Sequence, residues 1–259
     1  MTNQTKLLFQ KQTTDGLIEV CDRHQLRCLN IDAIEQSRIN LEQPDQLASP
    51  VQRYILACLL FIETPKKVLL GGLGGGALAC YLYNRKPEIQ GDAVEINEII
   101  AELAKDYFYF PKKQWDIIVD DLRQWNDRNY DLMVIDIADS DLTPAWLTSE
   151  KMLLQLKQQL SKQGVLAIDL LVDNAQSFTQ ALVAIRKVFK RQTLCLSVPD
   201  HKNIIIFAFN KPLINYSVKK LTTRVKKLTE IWGLEFPVFI EQLKNDNPDN
   251  NGIMSMGKS

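Results

Sequence analysis

Strand-like and helix-like segments alternate from Lys67 to Phe209, and this alternation limits the fold more than any other feature of the sequence. Such a pattern predicts a mostly parallel sheet covered by helices. The last two strand-like segments are separated only by 199–202, which is too short for a helical crossover, so they should form an antiparallel hairpin. The predicted strands are Val68–Gly71, Ala93–Ile96, Ile117–Asp120, Leu132–Ile137, Val165–Leu171, Thr193–Val198 and Asn203–Phe209. The predicted fold class is therefore α/β, with a seven-stranded, mostly parallel sheet and an antiparallel last strand.

The residues before Lys67 follow a different pattern. Short alternating segments joined by turns, one of them marked by Asp15-Gly16, predict a small antiparallel β unit. An apolar helix-like segment at 50–62 precedes the α/β region, and the end of the chain is rich in Asn, Asp and Gly. We therefore expect three parts: a small β domain (1–49), an α/β domain (50–244) and a disordered tail (245–259).

The composition argues against several classes of function. Lys plus Arg and Asp plus Glu both number 31, so the net charge is zero and we expect no nucleic-acid or membrane partner. The apolar run Tyr54–Ile62 is too short to span a bilayer. Five cysteines without a Cys-x-x-Cys pair indicate reduced thiols and a cytoplasmic protein. The histidines, His24 and His201, have no neighbours in sequence that suggest a metal site or a catalytic triad.

A glycine-rich turn follows the first strand of the α/β region. Gly72, Gly74 and Gly76 would let the backbone approach a ligand closely and leave free N–H groups at the start of the next helix. The second strand ends in Glu95 and Ile96, about twenty residues later, which is the spacing of a carboxylate that binds ribose hydroxyls. Taken singly, each feature also fits a tight turn or an exposed strand end.

Acidic residues follow the third and fourth strands. Asp120 and Asp121 end the third, where a carboxylate can accept a hydrogen bond from an adenine amino group or cap a short helix. Asp136, Asp139 and Asp141 follow the fourth, and carboxylates so close must share a cation or a proton, or face solvent. Ligands of open α/β sheets bind at the carboxyl ends of the strands. The four strand ends together therefore predict an adenosine site beside a positively charged group.

A dinucleotide site is a weaker interpretation of the same residues. Gly72-x-Gly74-x-x-Ala77 fits a loose dehydrogenase fingerprint, with Glu95 on the ribose. Acidic residues after the third and fourth strands would not help to bind a pyrophosphate, whereas they suit adenosine and a cation.

These residues resemble those of the spermidine synthase (polyamine aminopropyltransferase) family, from about Leu7 to Pro237. The stretch Tyr130–Asp139 is similar to the family's Tyr-Asp-x-x-x-x-Asp-x-x-Asp signature, and Gln36 matches a glutamine that contacts the nucleoside. The resemblance implies a Rossmann-like domain of the class I methyltransferase type and a homodimer. It also implies decarboxylated S-adenosylmethionine or S-adenosylmethionine as co-substrate, and no metal ion.

The resemblance also implies roles for individual residues. Glu95 matches the acid that binds the ribose, and Asp121 matches the acid on the adenine side. Asp139 matches the catalytic acid that accepts the proton of the attacking amine. The implied nucleoside-binding residues are Gln36, Gly72, Gly74, Gly76, Glu95, Ile96, Asp120, Asp121 and Asp136.

Two positions depart from the family's pattern. Gly75 takes the place of an aspartate that faces the aminopropyl end of the donor, and Arg53 lies where the family has an acidic and aromatic cluster for the polyamine. The preferred interpretation is aminopropyl transfer from decarboxylated S-adenosylmethionine to a small amine or polyamine. The missing aspartate, which would repel the carboxylate of intact S-adenosylmethionine, leaves a methyltransferase as an alternative. Because Arg53 is unfavourable for a polycation, a third interpretation is a related protein that binds the nucleoside but has lost catalysis.

Overall fold

The computed structural model describes residues 5–139, 142–211 and 218–248, which form two β-sheets and a set of helices. The first sheet is antiparallel with its strands in chain order: β1 (Thr5–Thr13), β2 (Gly16–Arg23), β3 (Leu26–Ile31) and β4 (Ile34–Asn40). The second sheet contains β5 (Lys67–Gly71), β6 (Gln90–Glu95), β7 (Trp115–Val119), β8 (Tyr130–Ile135), β9 (Leu160–Leu170), β10 (Thr193–Ser197) and β11 (Ile204–Phe209). The helices are α1 (Pro50–Ile55), α2 (Ala77–Arg85), α3 (Glu98–Tyr107), α4 (Glu150–Gln159), α5 (Ala175–Val188), α6 (Val218–Trp232) and α7 (Phe236–Asp246).

The larger sheet has the strand order β10-β11-β9-β8-β5-β6-β7. Its strands from β9 to β7 run parallel, whereas β11 pairs antiparallel with both β9 and β10. The chain builds outward from β5 through β6 to β7, then crosses to β8 on the other side. The point between β5 and β8 is where open α/β sheets form a ligand crevice. The predicted α/β fold class, with its antiparallel hairpin at the end, is confirmed.

Side chains of the central strands alternate between two buried apolar layers. Val134 of β8 and Ala167 of β9 belong to one layer, and Ile135 and Ile168 belong to the other. This alternation is what strands buried on both faces require, because successive side chains point to opposite sides of the sheet.

The N-terminal sheet shares its core with the larger sheet. Ile18 and Leu29 lie in the same buried cluster as Val68 of β5. The β1–β2 turn also reaches the region after β6, because Asn97 Nδ2 donates to an Asp15 carboxylate oxygen over 2.7 Å. Apolar packing and this hydrogen bond together hold the small sheet over the carboxyl side of the larger one.

The apolar segment after the small sheet forms a helix, as predicted for 50–62, and its second half is buried. Ser49 caps α1 by accepting a hydrogen bond from the Gln52 N–H, and Pro50 occupies the first turn. The helix continues as a 3₁₀ helix over Leu56–Leu60, whose residues are all buried. Across the described residues, no helix is both long and apolar enough to cross a membrane.

The C-terminal end is ordered further than predicted. α7 continues to Asp246, and Asn247 is buried. The Asn247 side chain accepts from the Cys195 N–H over 2.9 Å and donates to the Cys195 carbonyl over 2.6 Å. The predicted start of the disordered tail at residue 245 is therefore wrong, because this amide pairs with the edge strand β10. Residues 249–259 of the predicted tail lie outside the described residues.

Replacing Asn247 with Ala should lower the free energy of unfolding by about 1–3 kcal/mol, since it leaves buried backbone groups of β10 unpaired. Urea unfolding measures the loss, and the exposed Asn126→Ala variant is the matched control. Equal urea midpoints for the two variants would contradict the docking of α7 on β10.

Candidate active site

The glycine turn after β5 has a backbone shape that other residues would strain. Gly72 has φ +86°, and a Cβ built there would lie 2.3 Å from the Asp136 carbonyl oxygen. Gly76 has φ +76° and is the N-cap residue of α2. The turn therefore presses directly against the end of β8, and glycine is needed because any side chain at residue 72 would collide with that backbone.

The strand β4 of the small sheet covers the same turn. A Cβ at Gly74, which has φ +51°, would lie 3.2 Å from the Ser37 Cβ and 3.5 Å from the Gln36 carbonyl oxygen. The Gln36 side chain is exposed. The structure thus places the Gln36 backbone against Gly74, and the contact of Gln36 with a nucleoside stays a prediction.

Glu95, at the end of β6, is buried and fixed by backbone donors. One carboxylate oxygen accepts from the Leu73 N–H over 3.1 Å, and the other accepts from the Asn97 N–H over 2.9 Å. Burial raises the pKa of the Glu95 carboxyl, and the N–H groups of Asn97 and Leu73 oppose that shift. The carboxylate therefore ties the glycine turn to the start of α3 and retains lone pairs for ribose hydroxyls.

An exposed apolar pair lies beside Glu95. Ile96 is 69% exposed and Val119, at the end of the neighbouring strand β7, is 48% exposed. The Asp120 N–H donates to the Glu95 carbonyl over 3.1 Å, so Asp120 lies next to this pair. Exposed apolar side chains beside carboxylates suit the flat face of a nucleoside base with its polar edge.

Asp121, the predicted adenine-side acid, already has a partner. The Arg123 Nε donates to both Asp121 carboxylate oxygens, over 2.9 and 2.8 Å. This guanidinium holds the pKa of the Asp121 carboxyl below its usual range. The Arg123 guanidinium also lies 5.3 Å from the centre of the Trp146 ring. An adenine amino group would share Asp121 with Arg123.

Asp136 lies at the sheet's switch point and meets a carboxyl that the sequence analysis missed. Its N–H donates to the Gly71 carbonyl over 2.9 Å, and its side chain contacts Asp169 of β9. Burial raises the pKa of both carboxyls, and that of Asp169 rises to about 8. The signal in the sequence is one aspartate inside the apolar run Val165–Leu171, and that run predicts an ordinary strand.

Asp139 is exposed on the loop that follows β8. Its N–H donates to the Leu142 carbonyl over 2.8 Å and its carbonyl accepts from the Leu142 N–H over 3.2 Å, so the loop turns tightly there. Asp141, the third acid predicted in this loop, lies outside the described residues. The loop therefore presents the Asp139 carboxylate to solvent on the carboxyl side of the sheet.

Residue 75 does not face the place expected from the family's aspartate. A Cβ at Gly75 would lie 2.7 Å from Phe108 Cδ1, and Phe108 is fully buried. A side chain there would enter the core beside α2 unless Phe108 moved. The expectation that residue 75 faces the donor's tail is therefore wrong in this structure.

Arg53 does not carry an uncompensated positive charge. It forms an ion pair with Glu235, which precedes α7, and the Arg53 Nε donates to that carboxylate over 3.2 Å. The pair lines a cavity of about 200 Å³ together with Tyr54, Val238 and Phe239. Because Glu235 balances the guanidinium, Arg53 alone does not argue against a cationic ligand.

No group of three or more His, Cys, Asp and Glu residues within the described ranges is arranged to hold a metal ion. The site consists of a glycine turn, a fixed carboxylate at Glu95, exposed Ile96, and acidic strand ends at Asp136 and Asp139.

Comparison with known proteins gives relatives of two kinds, and no family model matches the chain. A polyamine aminopropyltransferase of Neisseria meningitidis serogroup A is 26% identical over 242 residues, covering 90% of this chain and 91% of that protein. The Vibrio vulnificus polyamine aminopropyltransferase is 30% identical over 175 residues, which cover 63% of this chain and 58% of that protein. An eEF1A lysine and N-terminal methyltransferase homolog of Drosophila melanogaster is 27% identical over 208 residues, covering 70% of this chain and 31% of that protein.

Solved structures share the fold. A probable spermidine synthase from Corynebacterium glutamicum matches with a TM-score of 0.72 at 17% identity, over 100% of both chains. Human methyltransferase-like protein 13 in complex with SAH matches with a TM-score of 0.62 at 22% identity, over 71% of this chain and 91% of that one. The chain is therefore similar to polyamine aminopropyltransferases over about nine tenths of its length, and the predicted resemblance and enzyme class, a transferase, are confirmed.

Proposed function

We propose that this chain transfers an aminopropyl group from decarboxylated S-adenosylmethionine to a small amine. The observation that carries the proposal is the Glu95 carboxylate, which is hydrogen-bonded to the glycine turn. Exposed Ile96 follows Glu95 in the chain, and the same turn contacts the acidic end of β8. This arrangement suits an adenosine whose substituent is positively charged. The names of the relatives agree with the function that the sequence resemblance implied.

The donor half of the site follows from the ends of β5, β6 and β7. Glu95 would accept hydrogen bonds from the ribose hydroxyls, and Ile96 would contact the base. Gly72 and Gly74 let the turn pack closely against Asp136 and against Ser37, and the backbone of this turn is what the donor's tail would approach. Asp121 would accept from the adenine amino group while it keeps its contact with Arg123.

The acceptor half follows from the acidic ends of β8 and β9. A polyamine is cationic, and Asp136, Asp139 and Asp169 supply negative charge at this edge. The attacking nitrogen must be neutral, so one carboxylate has to accept its proton. Asp139 is the residue we assign to this step, because it is exposed and matches the family's catalytic position.

The donor's sulfonium weakens the bond to its aminopropyl carbon. The amine nitrogen forms a new C–N bond as the C–S bond breaks, and the sulfur keeps the electron pair as a neutral thioether. The amine proton passes to Asp139. Positioning of the two reactants supplies much of the rate in a transfer of this kind.

Methyl transfer from intact S-adenosylmethionine is the second candidate. The similarity to the methyltransferase homologue favours it, because that match covers 70% of this chain. Gly75 does not decide between the donors, since a side chain at this position would point at Phe108. Calorimetric titration with each donor separates the two functions: aminopropyl transfer requires tighter binding of the decarboxylated form, and the reverse preference would favour methyl transfer.

The Glu95→Ala variant should bind 5′-methylthioadenosine about 1–3 kcal/mol more weakly, because ribose hydroxyls would lose a buried acceptor. Calorimetry measures the dissociation constant, and thermal unfolding checks that the turn survives loss of its carboxylate. The exposed Glu98→Ala variant is the control at the start of α3. Unchanged affinity in a folded Glu95→Ala protein would remove Glu95 from the nucleoside site.

The Asp139→Asn variant should lose aminopropyl transfer by about 10²-fold or more, since an amide cannot take the amine proton. Its affinity for 5′-methylthioadenosine should stay near that of the parent. Single-turnover rates and calorimetry measure the two quantities, with the exposed Asp116→Asn variant as control. If the Asp139→Asn protein reacts at the parent's rate, Asp139 is only part of a solvated loop.

A further inference from the structure

Two carboxyl side chains meet at the carboxyl ends of β8 and β9. Ile135 pairs with Ile168 in these parallel strands, so the next residues, Asp136 and Asp169, lie side by side. Because side chains alternate along a strand, both aspartates lie on the same face of the sheet as Val134, whose apolar layer also includes the core of the small sheet. Their side chains contact each other, carboxyl to carboxyl.

Asp169 is the more buried member of the pair, with 4% of its surface exposed. One of its carboxylate oxygens accepts from Asn203 Nδ2 over 2.7 Å. The other oxygen is buried and accepts no hydrogen bond from any described residue. A proton on one of the two carboxyls would satisfy that oxygen.

The surroundings offer no cation to neutralise the pair. Among the described residues, neither Asp136 nor Asp169 forms an ion pair with Lys, Arg or His. The turn before β11 contributes the neutral Asn203 and an exposed His201 whose ring contacts the Pro199 carbonyl. The loop after β8 contributes the exposed carboxylate of Asp139 and the hydroxyl of Thr143, and Thr143 Oγ1 lies 3.4 Å from the Asp169 carbonyl.

Two carboxylates in contact, without a cation, cannot both be ionised at low cost, so they share one proton. Burial raises the pKa of Asp169 to about 8, the charge of Asp136 adds to the shift, and the Asn203 hydrogen bond opposes it. The titration belongs to the pair and not to either residue alone.

We propose that Asp169 is a positioning residue of the amine site. It shares one proton with Asp136 and so holds this pair of carboxyls at a single negative charge. The identity of the cation that this charge serves rests on the proposed function, but the shared proton does not. A cationic amine bound nearby would favour release of the proton, so its binding should strengthen as the pH rises through the titration of the pair.

The shared proton can be tested without any ligand. Because the folded protein holds this proton more tightly than the unfolded chain, the pair's contribution to stability should fall as the pH rises from about 4 to about 8. Carbon NMR of aspartate-labelled protein should show a carboxyl that titrates near the upper end of that range. The Asp169→Asn variant should lose both effects, and the exposed Asp116→Asn control should keep them.

A second variant should shift the titration of the pair in the upward direction, which a misfolded protein would not do. Asn203→Ala removes the hydrogen bond that favours ionised Asp169, so the titration of the pair should move to higher pH. If every aspartate of the wild-type protein titrates below about pH 5, as ordinary carboxyls do, the shared proton does not exist and the proposal fails.

The positioning role needs a further measurement, with 1,4-diaminobutane as the probe amine and 5′-methylthioadenosine bound. Calorimetry in two buffers of different ionisation enthalpy should show proton release on diamine binding near pH 7 in the wild type, and less in Asp169→Asn. The acid limb of kcat/KM should move to lower pH by about one unit or more in that variant.

The outcomes separate this proposal from the proposed function. The protein could hold the shared proton and transfer aminopropyl groups, yet release no proton when the diamine binds. That result overturns the positioning role alone. A wild-type protein without aminopropyl transfer overturns the proposed function, and the binding of the probe diamine then still decides whether the pair responds to a cation.

Discussion

The approach of the Gly72 backbone to the Asp136 carbonyl is the constraint on which the site depends. A side chain at residue 72 would lie 2.3 Å from that oxygen, so the turn after β5 can close onto β8 only with glycine. Glu95 holds the other side of the same turn through the Leu73 N–H. Three strand ends are thereby joined through the backbone of this turn and the Glu95 carboxylate, and a ligand at this edge would meet a surface that is already shaped before it binds.

Much of this edge could be predicted from the sequence, because strand ends are visible as the places where apolar runs stop. The glycine turn, Glu95 and Asp136 were found in that way, and the structure brings them together. Asp169 could not be found, since one aspartate inside a long apolar run looks like an ordinary strand position. Its meaning depends on the register that sets it beside Asp136, and register between strands is not local information.

Charges and directions were harder to predict than positions. In the sequence, Arg53 is an unpaired positive charge that would repel a polycation. Its partner Glu235 lies 182 residues away, so the ion pair cannot be recognised from the sequence. The family pattern predicts that residue 75 faces the donor, whereas a side chain at Gly75 would point at buried Phe108. Asn247 looked like part of a polar tail, yet its amide continues the hydrogen bonding of an edge strand. In each case the deciding contact is between residues that are distant in the sequence, and neither composition nor local pattern predicts it.

The acidic edge has two requirements that oppose each other. A cationic amine binds more tightly as the negative charge around it increases, but the same field stabilises its protonated form and so raises the amine pKa, while only the neutral form attacks. Three ionised carboxylates at Asp136, Asp139 and Asp169 would favour binding at the expense of reactivity. A proton shared between Asp136 and Asp169 removes one of those charges from the buried part of the edge and leaves the exposed Asp139 free to accept a proton. The pair releases this proton when a cationic amine binds and regains it as the amine becomes neutral, so an acid buried at β9 lets the field at this edge follow the charge of the amine.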